Sequence, residues 1–172
     1  MPEAPRWLLR EGPLKPGDAA VALIVVDGAH YLLQLRDDIS GIFYPGHWGA
    51  FGGALDPGET PEQGLRRELA EELGFAPGEI AYFTEFTFDF APHGGTRVSR
   101  RYYEAHVRAQ DIAGMTLGEG AALRVFSAEE LLRRQPVVPY DAMAIWMHAT
   151  RAAYIPDDAA RALPRRAERR SS

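Results

Sequence analysis

Three glutamates set the chemistry open to this sequence. Glu68, Glu71 and Glu72 stand at spacings of three and four, which share one face of a helix. Carboxylates crowded in this way repel each other unless something positive sits among them. Hard oxygen ligands at this density suit Mg²⁺, with Mn²⁺ as the alternative. Upstream, Gly52 and Gly53 let the backbone come close to the same place. A cation held there would bridge to a substrate diphosphate. Taken alone, a Glu-x-x-Glu-Glu run is commonly only a solvated helix face. Here the acids belong to a longer pattern with fixed points at Gly53, Glu59, Arg67, Glu68, Glu71, Glu72 and Gly74, and with apolar Leu69 and Phe75. So many fixed identities at fixed spacing make coincidence negligible.

The element that must carry these acids is delimited by its own residues. Thr60 is a good N-cap, Pro61 suits the first helical position, and Gln63 stands three past the cap, which makes a capping box. Gly74 supplies a left-handed stop. The spacing predicts a helix over 61–73. Leu65, Leu69 and Leu73 form its docking stripe, and the three glutamates form the adjoining one.

The stretch Gly53 to Phe75 (GALDPGETPEQGLRRELAEELGF) resembles the signature of the Nudix hydrolases position for position. The resemblance covers residues 18–150 and implies the Nudix fold, an α/β class with an α/β/α sandwich around a mixed β-sheet. It also implies hydrolysis of a pyrophosphate bond in a nucleoside diphosphate linked to another group, with a divalent metal. Carried over by position, Glu68, Glu71 and Glu72 are similar to the family's metal-binding carboxylates, and Glu72 to the one most costly to remove. The Gly53 carbonyl resembles a main-chain metal ligand of several members. Arg67 and Glu59 resemble a supporting ion pair that orients the catalytic loop. The family places its general base at more than one position. Here Gly118-Glu119-Gly120 resembles the loop acid of the member that sanitises oxidised deoxynucleotides, which makes Glu119 the candidate base. Arg36 and Arg101, with Arg97 and Arg100, are candidates for holding phosphates. Trp48 and Phe51, with Phe86, are candidates for stacking on a base. His47 and His93 lie in glycine-containing loops that could edge the pocket.

The rest of the chain supplies a scaffold. Ala19 to Val26 is a near-continuous apolar run, expected as a central strand buried on both faces. Asp27-Gly28 turns it into a returning strand, Tyr31 to Leu35. Trp48 to Leu55 leads into the helix. Glu79 to Phe90 and Arg97 to Val107 read as a long hairpin around His93-Gly94-Gly95. Ala121 to Phe126 is a further strand. Ser127 with Glu130 forms a second capping box for a short helix to Arg134. Asp141 is expected to cap a last helix through Ala153, packed by Ile145, Trp146 and Met147. The expected organisation is an N-terminal arm (1–17) pinned by Trp7, Leu8 and Leu9, a catalytic domain (18–155), and a flexible basic tail (156–172), its last residues (160–172) mobile.

Composition narrows the function classes. The 172 residues include no cysteine, which excludes thiolate metal sites and cysteine nucleophiles and fits a cytoplasmic protein. It also argues against an isoprenyl diphosphate isomerase, which shares the implied fold but relies on a cysteine. No apolar run reaches the length of a membrane span. Residues 1–150 hold 13 basic and 21 acidic side chains, whereas residues 151–172 hold 6 and 3. The acidic body is a poor match for a nucleic-acid polymer, so the expected partner is a small nucleotide substrate. Family members often dimerise, so the resemblance admits a homodimer. The sequence leaves nucleotide sugars, ADP-ribose-like compounds and nucleoside triphosphates equally open. The rival reading is a non-catalytic sensor that binds a nucleotide metabolite on the same fold. Such sensors often lose box acids, and this chain has kept its own.

Overall fold

A computed structural model describes residues 17–89, 91 and 96–153. The proposed arm anchors Trp7, Leu8 and Leu9, the hairpin tip with His93, and the C-terminal tail lie outside the described residues. The architecture grows from strand β1 (Ala19–Val26), every residue of which is buried. It pairs antiparallel with β2 (His30–Leu35) through its C-terminal half and with β4 (Phe51–Ala54) through its N-terminal half. It also pairs in parallel with β6 (Arg97–Val107) along its whole length. The two-residue β3 (Trp48–Gly49) and β7 (Ala122–Ser127) flank β2, and β5 (Ala81–Asp89) closes the other edge against β6. One parallel pairing among antiparallel ones makes the sheet mixed.

Helices cover both faces because β1 alternates. Ala20, Ala22, Ile24 and Val26 face α1 (Pro61–Leu73) and its stripe Leu65, Leu69 and Leu73. Each of these buried leucines contributes about 1.5–3 kcal/mol. Val21, Leu23 and Val25 face the opposite layer, where α2 (Ala128–Arg134) supplies Leu131 and α3 (Pro139–Thr150) supplies Ala144 and Ile145. This is the expected α/β/α sandwich.

Helix α1 follows its sequence signals throughout. Thr60 and Gln63 close a reciprocal capping box, and Gly74 ends the helix at φ 58°. The C-terminal half departs from expectation. Ser127 accepts the Glu130 N–H, but the Glu130 carboxylate turns to Arg124 at 2.7 Å instead of closing the box. Asp141 does not cap α3, which starts at Pro139 after Val138 with no side-chain cap. The Asp141 carboxylate is drawn inward to the Ala50 N–H (3.0 Å) and the Tyr102 hydroxyl (2.6 Å). Trp146 is 54% exposed, and the packing face of α3 is formed by Ala144, Ile145 and His148.

Candidate active site

The acids of α1 separate into two settings. Arg67 is the hub of the first. Its Nε and Nη2 donate to the two oxygens of Glu59 at 2.8 and 3.0 Å, a fork-on-fork pair. Its Nη1 donates to Glu68 at 2.9 Å and Glu71 at 3.2 Å, and its Nη2 also reaches the Ala54 carbonyl at 3.1 Å. One guanidinium therefore ties the helix acids to the loop that precedes them. Glu59 accepts the Asp56 N–H as well. Arg67 first, and then that backbone bond, hold its carboxyl down to about 2. Glu59 and Arg67 stand as the ion pair that the sequence pattern led us to expect.

Glu72 has a different setting. It is only 6% exposed. One oxygen accepts from the Gln34 amide at 3.0 Å and the other from the Gly52 N–H at 2.8 Å. Burial pushes its carboxyl up to about 7, and the charges of Glu68 and Glu119 add to that push, while the two hydrogen bonds oppose it. Glu68 is also raised, chiefly by burial, with Arg67 opposing and Glu71 and Glu119 adding. Its carboxylate lies directly over Gly53, where a Cβ would stand 2.7 Å from it. Only glycine leaves room for that approach, which puts the Gly53 backbone beside an anionic oxygen.

Glu119 sits in a short connection pinned at both ends. The Gly118 N–H donates to the Glu72 carbonyl at 2.7 Å, and the Ala121 N–H to the Leu35 carbonyl at 2.8 Å. A cleft of about 450 Å³ opens between this connection and the loop after β2, lined by Gln34, Arg36, Asp37, Ile39, Ile42, Glu72 and Glu119. Arg36 reaches this cleft while its Nε holds the Phe43 carbonyl at 2.8 Å.

Other expected residues fall elsewhere. Phe51 is fully buried in the core under α1, and Trp48 packs edge-on against Phe126 in the opposite core, so neither presents a face to a ligand here. Their apolar area is worth more inside than at the cleft, which corrects the expectation that they stack on a base. Phe86 packs against Tyr102. Arg101 pairs with Glu85 at 2.8 Å on the sheet face that carries α1. Arg97 pairs with Asp89 at 3.2 Å, and Arg100 lies over the Tyr140 ring at 4.6 Å. The His47 ring nitrogen Nδ1 bonds the Pro45 carbonyl.

Gln34 escaped notice in the sequence, where Asp141 reads only as a helix cap. Gln34 left one trace: it is a polar residue inside the apolar run YLLQL, on a strand otherwise suited to burial on both faces.

Among the described residues, no three acidic or histidine side chains form a ready metal-binding group. Arg67 engages Glu68 and Glu71, while Glu72 is held separately by Gly52 and Gln34. The donor set nevertheless fits a hard divalent cation. It offers carboxylate oxygens, and burial raises the pKa of two of the carboxyls, Glu68 and Glu72, beside the Gly53 backbone. Each Glu72 oxygen keeps a lone pair beyond the hydrogen bond it accepts.

Comparison with known proteins places this geometry. The family model described as NUDIX domain matches residues 15–146. The chain is 52% identical over 65 residues to the nucleoside triphosphatase NudI of Escherichia coli O1:K1 / APEC, a match covering 38% of this chain and 42% of that protein. It therefore spans less than half the length of that relative. Among solved structures it is similar to the E. coli ORF135 protein, with 27% identity, a TM-score of 0.64, and 86% of this chain and 99% of that chain covered. It is also similar to RenU, a Nudix hydrolase from M. smegmatis, with 26% identity, a TM-score of 0.63, and 87% and 96% covered.

Proposed function

The chain belongs to the NUDIX domain family, and on that footing we propose that it is a metal-dependent pyrophosphohydrolase acting on a nucleoside diphosphate linked to another group. The seating of Glu72 carries this reading. A buried carboxylate, gripped by two donors and with no ion-pair partner among the described residues, opens onto a cleft large enough for a small nucleotide.

In this reading Glu68, Glu71, Glu72 and the Gly53 carbonyl hold Mg²⁺ or Mn²⁺. When bound, the cation would neutralise the diphosphate charge and acidify a water. Glu119 would take up a proton at its carboxylate as general base. Arg67 keeps its fork on Glu59 and so holds the loop before α1 against the helix. Arg36 binds phosphate oxygens from the cleft wall, and Arg101 adds positive charge on the same side of the sheet. Among the nucleotide classes left open by the sequence, likeness to a nucleoside triphosphatase supports a triphosphate. The acidic body and the absence of cysteine support a cytoplasmic enzyme working on small molecules, with residues 18–155 as its catalytic unit. Among the described residues, no helix is long and apolar enough to cross a membrane.

The deciding experiment is a panel of nucleotide sugars, ADP-ribose-like compounds and nucleoside triphosphates incubated with Mg²⁺, with products identified. Release of phosphate, pyrophosphate or a nucleoside monophosphate is expected from at least one class. Silence across the panel, with folded protein and several metals, would favour the sensor.

A further inference from the structure

Gln34 is a buried polar residue that enters the reading above only as a donor to Glu72. It lies on β2 between β3 and β7, opposite Gly49 on one side and Leu123 on the other, and is 4% exposed. An amide at such a position is unfavourable unless its donor and acceptor are both accommodated. Its donor goes to Glu72 on α1. Its oxygen faces Gly120, where a Cβ would come within 2.7 Å of it. The same amide therefore abuts the metal-side carboxylate and the connection that carries Glu119.

The two neighbours are joined by one further link, the Gly118 N–H on the Glu72 main-chain carbonyl. Glu72 and the 118–120 connection thus form a small closed unit, with the Gln34 amide as its wedge. The Glu72 carboxylate is held by donors from two different strands, Gln34 of β2 and Gly52 of β4. Two donors fix the plane of a carboxylate, whereas one leaves it free to turn about its last bond. Gly120 has φ 89°, so the connection already adopts a conformation suited to glycine and can press its backbone against the amide.

We propose that Gln34 is a positioning residue. Its amide orients the Glu72 carboxylate and sets the separation between Glu72 and the Glu119 connection. The inference rests on the reading of Glu72 as a cation ligand.

Gln34→Met tests it, because methionine keeps the length and volume of glutamine and removes both polar groups. The expected result is a fall in kcat of at least tenfold with KM within threefold. Mn²⁺ affinity, measured by calorimetry without substrate, should weaken by about tenfold. A residue that only fills the core would leave Mn²⁺ affinity unchanged. In a Glu72→Gln background, Gln34→Met should weaken Mn²⁺ binding no further, since its effect runs through Glu72. If Gln34→Met does not fold, Gln34→Leu, which also removes the donor and adds no charge, should show the same loss of Mn²⁺ affinity. Mn²⁺ binding and turnover within twofold of wild type in the folded variant overturn the proposal, as do effects that multiply independently with Glu72→Gln. Wild-type protein that binds Mn²⁺ but hydrolyses nothing in the panel defeats the hydrolase reading alone, and the binding arms still decide the role of Gln34. Wild-type protein that binds no Mn²⁺ overturns the proposal together with the cation reading.

Discussion

Glu72 and Glu119 are the two side chains on which the proposed chemistry depends, and each has its own signature. Glu72→Gln should lower turnover by orders of magnitude. It should not lower the thermal midpoint of metal-free protein at pH 8, because a buried carboxyl pushed up to about 7 is a burden once ionised. A midpoint several degrees below wild type would make Glu72 a structural residue, and turnover within threefold would remove it from the site. Glu119→Gln should lower kcat with little change in KM, and a change confined to KM would make Glu119 a binding residue. The acids of α1 were legible because one helix sets their spacing and nothing distant is needed to align them. Gln34 was not legible, since its partner lies 38 residues away. Phe51 and Trp48 were misassigned for a related reason. Aromatic residues near a glycine loop look available in the sequence, and only the packing of two cores decides that they are not.

At the level of elements, the site depends on how the short strands β3 and β4 are held. The Trp48 N–H donates to the Pro136 carbonyl at 2.8 Å, the Val138 N–H to the Trp48 carbonyl at 2.9 Å, and the Ala50 N–H to Asp141 at 3.0 Å. The segment entering α3 thus straps down β3 and the start of β4, the strand that carries Gly52 and Gly53. Asp141 is 1% exposed and stands 3.6 Å from the Arg100 guanidinium. Burial, followed by the Asp141 charge, keeps the Tyr102 hydroxyl protonated and donating. Asp141→Ala would leave the Ala50 N–H and the Tyr102 hydroxyl without their acceptor beside the part-buried Arg100 and should cost about 2–4 kcal/mol in urea denaturation. A loss below 1 kcal/mol would show that the strap holds without it. The cap signals of α1 were readable because they are local, whereas the inward turn of Asp141 depends on an amide 91 residues away.

A second tie joins α3 to β6. His148 Nε2 lies 3.1 Å from Glu104 Oε1, although the ring nitrogen makes no directed hydrogen bond. This imidazole, with help from His106 and Arg151, holds the Glu104 carboxyl down to about 2, below its ordinary 4.5. While the imidazole is protonated the pair stabilises above about pH 4.5, and the contribution is lost as pH falls through the folded value near 2. Because no directed bond forms, that contribution is about 1–2 kcal/mol, less than the shift alone would convert to. Glu104→Gln should be destabilised at pH 5.5 and indistinguishable from wild type at pH 2. An equal deficit at both values would assign the effect to packing.

For the whole molecule, the sandwich follows from β1. Eight apolar residues in a row permit burial on both faces, and their alternation sends one set to α1 and the other to α2 and α3. That much was legible, together with most strand positions. The order of strands was not, because pairings such as Ala20 with Arg101 and with Gly53 are settled by global packing. Ligand binding should register on the whole fold. Mg²⁺ or Mn²⁺ at about a hundred times its dissociation constant should stabilise wild type by about 2.7 kcal/mol. A chelator should reverse the gain, and Glu72→Gln, with its weaker metal binding, should reduce it. No shift with either metal would count against a built cation site.

Arg67 has a consequence for the solution behaviour of the protein. An acidic surface ordinarily gathers its neutralising ions from the solvent, and each ion gathered costs mixing entropy that depends on the salt supplied. Here the counter-charge of Glu59, Glu68 and Glu71 is tethered by the chain itself. One guanidinium offsets only one of those three charges, so the melting point of the metal-free protein should still rise with salt, and Arg67→Gln should make that rise steeper, with added salt recovering part of the lost stability.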